Sequence, residues 1–199
     1  MILTRRALLA VSGAAALTGA PALHAQGLTV DGVLRDPDAP VLGNPQGDVT
    51  LVEWFDYQCP ICKSMHDGLL SLVAEDGGIR LVLKDWPIFG AASLRASRIA
   101  LGAHDLGLYE PVMAALMRTV GRLNDARVDR AVAGVVPAQT ALDAYDASRD
   151  KWDALLERNS LQAAGLGFSG TPGIAVETTI YDGALDKAGL RDAVAAARG

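Results

Sequence analysis

Cysteine is nearly absent from this chain: 199 residues hold two, Cys59 and Cys62, three positions apart. Structural disulfides in exported folds usually come in several pairs and close long loops. A bridge between these two closes almost nothing, so a reactive role accounts for them better than a stapling one. Histidine is scarce too, with three in all, and a closed four-ligand zinc site therefore looks incomplete. No apolar run reaches the roughly 20 residues needed to cross a bilayer. Positive charge is in deficit, with 18 Lys and Arg against 23 Asp and Glu, which argues against nucleic acid as a partner.

What is present begins with the N-terminus, which sets the compartment of the cysteines. Arg5 and Arg6 precede an apolar run from Ala7 to Leu17 and a small-residue stretch ending in Leu23-His24-Ala25. That layout predicts a secretory signal over residues 1–25, cleaved after Ala25 or, failing that, Ala22. Thr4-Arg5-Arg6-Ala7-Leu8-Leu9 also fits a twin-arginine motif, so both the general and the twin-arginine export routes stay open. The expected location is the periplasm. Cleavage removes two arginines and no acid, leaving 16 basic and 23 acidic residues and a formal charge of −7.

Residues 26–47, rich in Gly, Pro and Asp, read as an extended N-terminal arm with turns. Asp48 to Phe55 is a β-branched, apolar run of strand length. From Pro60 the spacing turns helical, with Ile61, Met65, Leu69, Leu72 and Val73 on one face until Gly77-Gly78. Ile79 to Leu83 is a second strand. Between about 91 and 165 the chain is Ala-, Leu- and Arg-rich without strand-like alternation, and reads as several helices. After Gly170-Thr171-Pro172, Ile174 to Val176 and Ile180-Tyr181 read as strands, and Asp186 to Arg198 as a closing helix. This predicts one α/β domain over 48–199, with a helical insertion between a β-α-β half and a β-β-α half. A C-x-x-C beside a β-α-β pattern reads as a thioredoxin-like redox motif.

The physics supports that reading. With Pro60 in the first helical position, Cys59 becomes the N-cap, and its sulfur faces unpaired N–H groups and the positive end of the helix dipole. Such sites lower a thiol pKa from near 8.5 to between about 3.5 and 7.5, so Cys59 is the candidate nucleophile. Cys62, one turn in, is positioned to resolve a mixed disulfide.

Asp38 to Lys63, containing Pro-Val-Leu-Gly-Asn-Pro-Gln-Gly-Asp-Val-Thr-Leu-Val-Glu-Trp-Phe-Asp-Tyr-Gln-Cys-Pro-Ile-Cys-Lys, resembles the DsbA-like family of bacterial periplasmic thiol-disulfide oxidoreductases. So does Gly165-Leu166-Gly167-Phe168-Ser169-Gly170-Thr171-Pro172. The resemblance implies a thioredoxin-like fold and no bound cofactor. It implies that Pro172 is a cis-proline facing the cysteines, and that Thr171, with Pro60 and Ile61, meets the substrate peptide. Glu53 matches a buried acid that helps to move protons. Two positions depart from the family pattern: Ile61, where the best-studied oxidases have His, and Gly173 after the proline. The implied partners are cysteine-containing exported polypeptides and a redox partner, either a membrane quinone-linked thiol oxidase or a reductant-supplying transporter.

Other readings stand beside this one. The enzyme could run as a reductase or isomerase. A non-enzymatic metal carrier using Cys59, Cys62 and His66, or a peptide-binding module with idle cysteines, uses the same residues. By itself His66 reads as a helix-surface residue, and Glu53 as either a buried acid or an exposed strand-edge one. Gly165-x-Gly167-x-x-Gly170 has the letters of a dinucleotide fingerprint but follows a helix and precedes a strand, the reverse of the required context.

The compartment is directly testable. Residues 1–25 fused to a reporter should export it, and changing Arg5-Arg6 to Lys-Lys should block export only on the twin-arginine route. Retention of the unmodified fusion in the cytoplasm would overturn the signal assignment.

Overall fold

Strand β2 and the helix that follows it organise the molecule, which is described here for residues 28–199 from a computed structural model. The expected signal, 1–25, lies outside the described residues. In chain order the elements are α1 (Val30–Leu34), β1 (Val41–Gly43), β2 (Val49–Phe55), α2 (Pro60–Asp76), β3 (Ile79–Asp85), α3 (Ala91–Asp105), α4 (Tyr109–Met117), α5 (Asp125–Val132), α6 (Ala138–Ala147), α7 (Arg149–Gly165), β4 (Gly173–Val176), β5 (Thr179–Asp182) and α8 (Lys187–Arg198).

The sheet runs β1-β3-β2-β4-β5, with β2 and β3 parallel and the other pairs antiparallel. All seven residues of β2 are buried, as expected of a central strand covered on both faces. Register pairs Glu53 with Leu83, Trp54 with Lys84 and Phe55 with Asp85. Side chains alternate across a strand, so Glu53, Phe55, Leu83 and Asp85 share one face and Trp54 and Lys84 the other. The second face meets α7: Trp54 Nε1 donates to the Asn159 carbonyl at 3.2 Å. Helices α2 and α8 pack on each other, and α2 ends at Gly77 in the left-handed conformation, φ 70°, which glycine adopts without steric cost.

Helices α3 to α7 fill the stretch between the two halves of the sheet. Within that block α3 and α6 approach so closely that a Cβ on Gly102 would sit 1.9 Å from the Ala141 carbonyl oxygen.

Within the expected arm, residues 28–47 are not simply extended. Thr29 caps α1 by accepting from Gly32 N, and Val41–Gly43 adds an edge strand to β3. A buried ion pair explains why this segment docks. Lys84, fully buried, donates to Asp36 Oδ2 at 3.1 Å. Arg158 on α7 reaches Asp36 at 3.0 Å and Asp38 at 2.7 Å. Burial works to raise the Asp36 pKa, but Arg158 and Lys84 hold it below the usual carboxylate value, while burial lowers that of Lys84. Ile61 also differs from the amphipathic pattern, being 52% exposed.

Removing one partner of a buried pair leaves the other uncompensated, which costs about 3–5 kcal/mol. Asp36→Ala should therefore lower the unfolding free energy by about that much in urea titration. A loss under about 1 kcal/mol, the scale of an exposed pair, would show that Lys84 is hydrated in solution.

Candidate redox site

The site is built where β2 stops. After Phe55 the chain turns through Asp56-Tyr57-Gln58, and the buried Asp56 holds that turn. Its Oδ1 accepts from Gln58 N at 2.7 Å, its carbonyl from Cys59 N at 3.0 Å, and its Oδ2 from Phe89 N at 3.0 Å. Asp56 thus ends the strand and ties the Cys59 turn to the loop after β3. Gln58 adds a second tie, donating to the Phe89 carbonyl at 3.2 Å and accepting from Leu123 N at 2.8 Å.

Cys59 is the N-cap of α2 and Pro60 fills the first helical position. The Cys59 Sγ accepts from Cys62 N at 3.3 Å and lies 3.3 Å from the Thr171 carbonyl, to which its thiol can donate. Both cysteines are free and buried, Cys59 at 2% exposure and Cys62 at 0%. Pro60 and Ile61 stand exposed beside them. The Thr171–Pro172 bond is cis, and Pro172 is buried. The loop is held from behind by Gly173, where a Cβ would fall 2.6 Å from the Phe168 ring. Phe168 in turn packs on Trp54, ring centroids 5.2 Å apart.

The two sulfurs are driven apart in acidity. Hydrogen bonding from the Cys62 side chain, with help from Thr171 and from the Cys62 and Ile61 backbone, outweighs burial and lowers Cys59 to about 6. Cys62 is pushed up, chiefly by its bond to Cys59, then by burial and the nearby Glu53 charge. At neutral pH Cys59 is therefore the thiolate and Cys62 the thiol.

Glu53 is fully buried, and neither carboxyl oxygen has a hydrogen-bond partner among the described residues. Burial first, then the Cys59 and Asp85 charges, raise it to about 8. That answers the strand-edge alternative: the side chain is in the interior, within electrostatic reach of both cysteines. His66 is not a surface residue either. It is 3% exposed, both ring nitrogens lack partners among the described residues, and burial lowers its pKa. No cluster of three or more His, Cys, Asp or Glu suited to a metal occurs among the described residues.

Beside the cysteines, Gln58, Pro60, Lys63, Phe89 and Arg122 line a groove of about 540 Å³. Lys63 Nζ is held at its floor by Thr119, 2.8 Å from both the carbonyl and the hydroxyl. Ile61, Ile88, Phe89 and Val120 are exposed apolar residues on the surrounding segments. Sequence reasoning found Cys59, Cys62, Thr171, Pro172 and Glu53 together. It missed Gln58, Phe89 and Asp85, because their roles come from contacts across 24 to 65 positions of chain. For Asp85 the sequence offered only a carboxylate two residues beyond the apolar run Ile79 to Leu83, and its pairing with β2 comes from the tertiary register.

The sequence profile of the family described as thioredoxin matches residues 35–196. No curated protein matches the chain. Among solved structures it is similar to a thioredoxin-like oxidoreductase from Silicibacter pomeroyi DSS-3, at 40% identity and TM-score 0.80 over 84% of this chain and 96% of that one. It is also similar to the thiol-disulfide exchange protein alpha-DsbA2 from Wolbachia pipientis, at 28% identity and TM-score 0.76 over 82% and 89%. The catalytic domain of Proteus mirabilis ScsC matches at 25% identity and TM-score 0.73 over 84% and 93%. By fold, by the cysteine pair at the head of α2 and by these matches, the chain belongs to the thioredoxin family, among its DsbA-like thiol-disulfide oxidoreductases.

Proposed function

We propose that this protein works in the periplasm, forming or exchanging disulfides in exported polypeptides through Cys59-Pro60-Ile61-Cys62. The observation that carries the reading is the placement of the two sulfurs: Cys59 caps a helix N-terminus, its Sγ accepting from Cys62 N at 3.3 Å, while Cys62 is buried behind it, an arrangement that lowers the Cys59 pKa and raises that of Cys62. Cys59 attacks a disulfide sulfur and forms a mixed disulfide. Cys62 then attacks Cys59, giving the intramolecular disulfide and releasing the partner as a thiol. In the opposite direction a client thiolate opens the Cys59–Cys62 bond, and Cys62 leaves. Either way Cys62 exchanges a proton inside the protein, and Glu53 is the buried acid near it. Thr171, Pro172, Pro60 and Ile61 form the rim on which the client peptide is held.

The exposed apolar side chains around the groove support a polypeptide client, since extended peptides bind by main-chain pairing plus side-chain pockets. The Wolbachia relative is a thiol-disulfide exchange protein, which favours this chemistry over a metal carrier. For direction, Ile61 offers the Cys59 thiolate only a backbone N–H. A less stabilised thiolate makes a weaker oxidant, so the potential should fall between those of DsbA at about −120 mV and thioredoxin at about −270 mV.

Two measurements test this. Cys62→Ala should accumulate mixed disulfides with client proteins and Cys59→Ala should not, with the wild-type potential above about −270 mV. Equal trapping by both variants would remove the nucleophile assignment, and a potential below that value would turn the enzyme toward reduction. Alkylation of Cys59 should show a single rise with pH centred near 6, moving lower in Ile61→His. A midpoint near 8.5, the value of a free thiol, would mean that the helix start does not activate the sulfur.

A further inference from the structure

Glu53 is not the only buried acid on its face of the sheet. Asp85 ends β3 opposite Phe55, one diagonal along the ladder from Glu53 on the same face. It too is fully buried. Tyr109, at the start of α4, donates its hydroxyl to Asp85 Oδ2 at 2.9 Å. The Oδ1 has no hydrogen-bond partner among the described residues. Ser97 on α3 stands close enough to favour the ionised carboxyl, although its Oγ completes no hydrogen bond.

The groups facing this pair are all acids, hydroxyls or thiols. Glu53 on β2 feels Cys59 and Asp85. Asp85 is faced by Asp56 from the Cys59 turn, Tyr109 from α4 and Ser97 from α3. Tyr57 lies beside Asp85, Glu53 and Asp56. The one buried lysine of this ladder, Lys84, points to the opposite face and is committed to Asp36. None of the ion pairs among the described residues includes Glu53 or Asp85.

Two buried carboxyls without a cation resist ionising together, because each charge raises the cost of the other. They are not equivalent, since only Asp85 has a hydroxyl donor to hold its charge. We propose that Asp85 is a positioning residue of the exchange reaction, holding one negative charge beside Glu53 and so governing when Glu53 is free to take the Cys62 proton. The inference rests on the Cys59, Cys62 and Glu53 roles given above.

In the resolving step Cys62 Sγ attacks Cys59 Sγ of a mixed disulfide. The Cys59–Cys62 bond forms, the bond to the outer sulfur breaks, and that sulfur leaves with the electron pair as a thiolate. The Cys62 proton goes to the Glu53 carboxylate. In the dithiol, burial and then the Cys59 and Asp85 charges raise Glu53 to about 8, and burial raises Asp85 to about 7; in the mixed disulfide Cys59 carries no charge, so Asp85 is the charge that still delays Glu53. Removing that charge should let Glu53 accept the proton at lower pH.

Ellman's reagent reads the step directly on the reduced mature protein. The first thionitrobenzoate leaves as Cys59 attacks, and the second as Cys62 displaces the one left on Cys59. In the wild type the second rate should rise with pH at a midpoint below the Glu53 value of about 8, because Cys59 is uncharged in the mixed disulfide, and Asp85→Asn should move that rise acidward by about half a pH unit or more, a roughly threefold faster second release at low pH. Tyr109→Phe, which removes the donor that favours the Asp85 charge, should shift it the same way by less. It serves as the second variant if Asp85→Asn folds poorly. In a Glu53→Gln background Asp85→Asn should shift nothing. If the midpoint stays in place in both single variants while Glu53→Gln abolishes the pH dependence, Asp85 is only structural and the proposal fails alone. A second release that is independent of pH in the wild type and unchanged in Glu53→Gln removes it together with the Glu53 assignment. Release of only one thionitrobenzoate removes it with the Cys62 assignment.

Discussion

The redox centre depends on one junction, the four residues between the end of β2 and the start of α2. Strand β2 is buried on both faces and fixed in register with β3 and β4, so its last residue is rigidly placed. Asp56 closes the turn through three hydrogen bonds, and Pro60 can only begin a helix there, since its fixed φ suits the first turn. The Cys59 sulfur is thereby aimed at the free N–H groups of the first turn. Moving this junction by one residue would turn the sulfur away from them and forfeit the stabilisation of the thiolate.

The two faces of the sheet handle buried charge in opposite ways. On the α7 face Lys84, Asp36, Arg158 and Asp38 form a compensated cluster, and its effect is mechanical, clamping the N-terminal segment to the domain. On the redox face Glu53 and Asp85 have no cation partner among the described residues, and desolvation is left to raise both. A lysine on that face would hold the acids ionised and remove their ability to gain and lose protons near neutral pH. The alternation of one strand separates the two regimes: Lys84 and Asp85 are chain neighbours with opposite orientations.

The cis-proline loop and the helical insertion complete the site from two sides. Gly173 lets Phe168 lie against the chain directly behind Pro172, which keeps the Thr171 carbonyl 3.3 Å from Cys59. The insertion supplies Tyr109 beneath the site, and the segment after α4 supplies Thr119 and Leu123 beside it. Gln58 and Lys63, each within four residues of Cys59, hold those segments in place. The wall of the groove is therefore anchored to the same turn that activates the sulfur.

Much of this was legible in the chain. Hydrophobic periodicity and Gly and Pro punctuation gave the element order, because the strands and α2 are locally consistent with their final environment. The spacing of Cys59, Pro60 and Cys62 fixed the helix start by local sterics alone, and the Thr171-Pro172 match was resolved through family resemblance. Only tertiary structure decided the rest. Residues 30–34 and 41–43 read as irregular because a five-residue helix and a three-residue edge strand have too few internal hydrogen bonds to stand without their neighbours. His66 and Ile61 exchanged their expected exposures because burial on an amphipathic helix depends on what packs against each turn. Asp85 was invisible as a partner of Glu53 because 32 positions separate them in sequence and only the parallel register brings them together. Local sterics and periodicity are properties of the chain, whereas desolvation and charge coupling exist only after distant segments have closed around the same space.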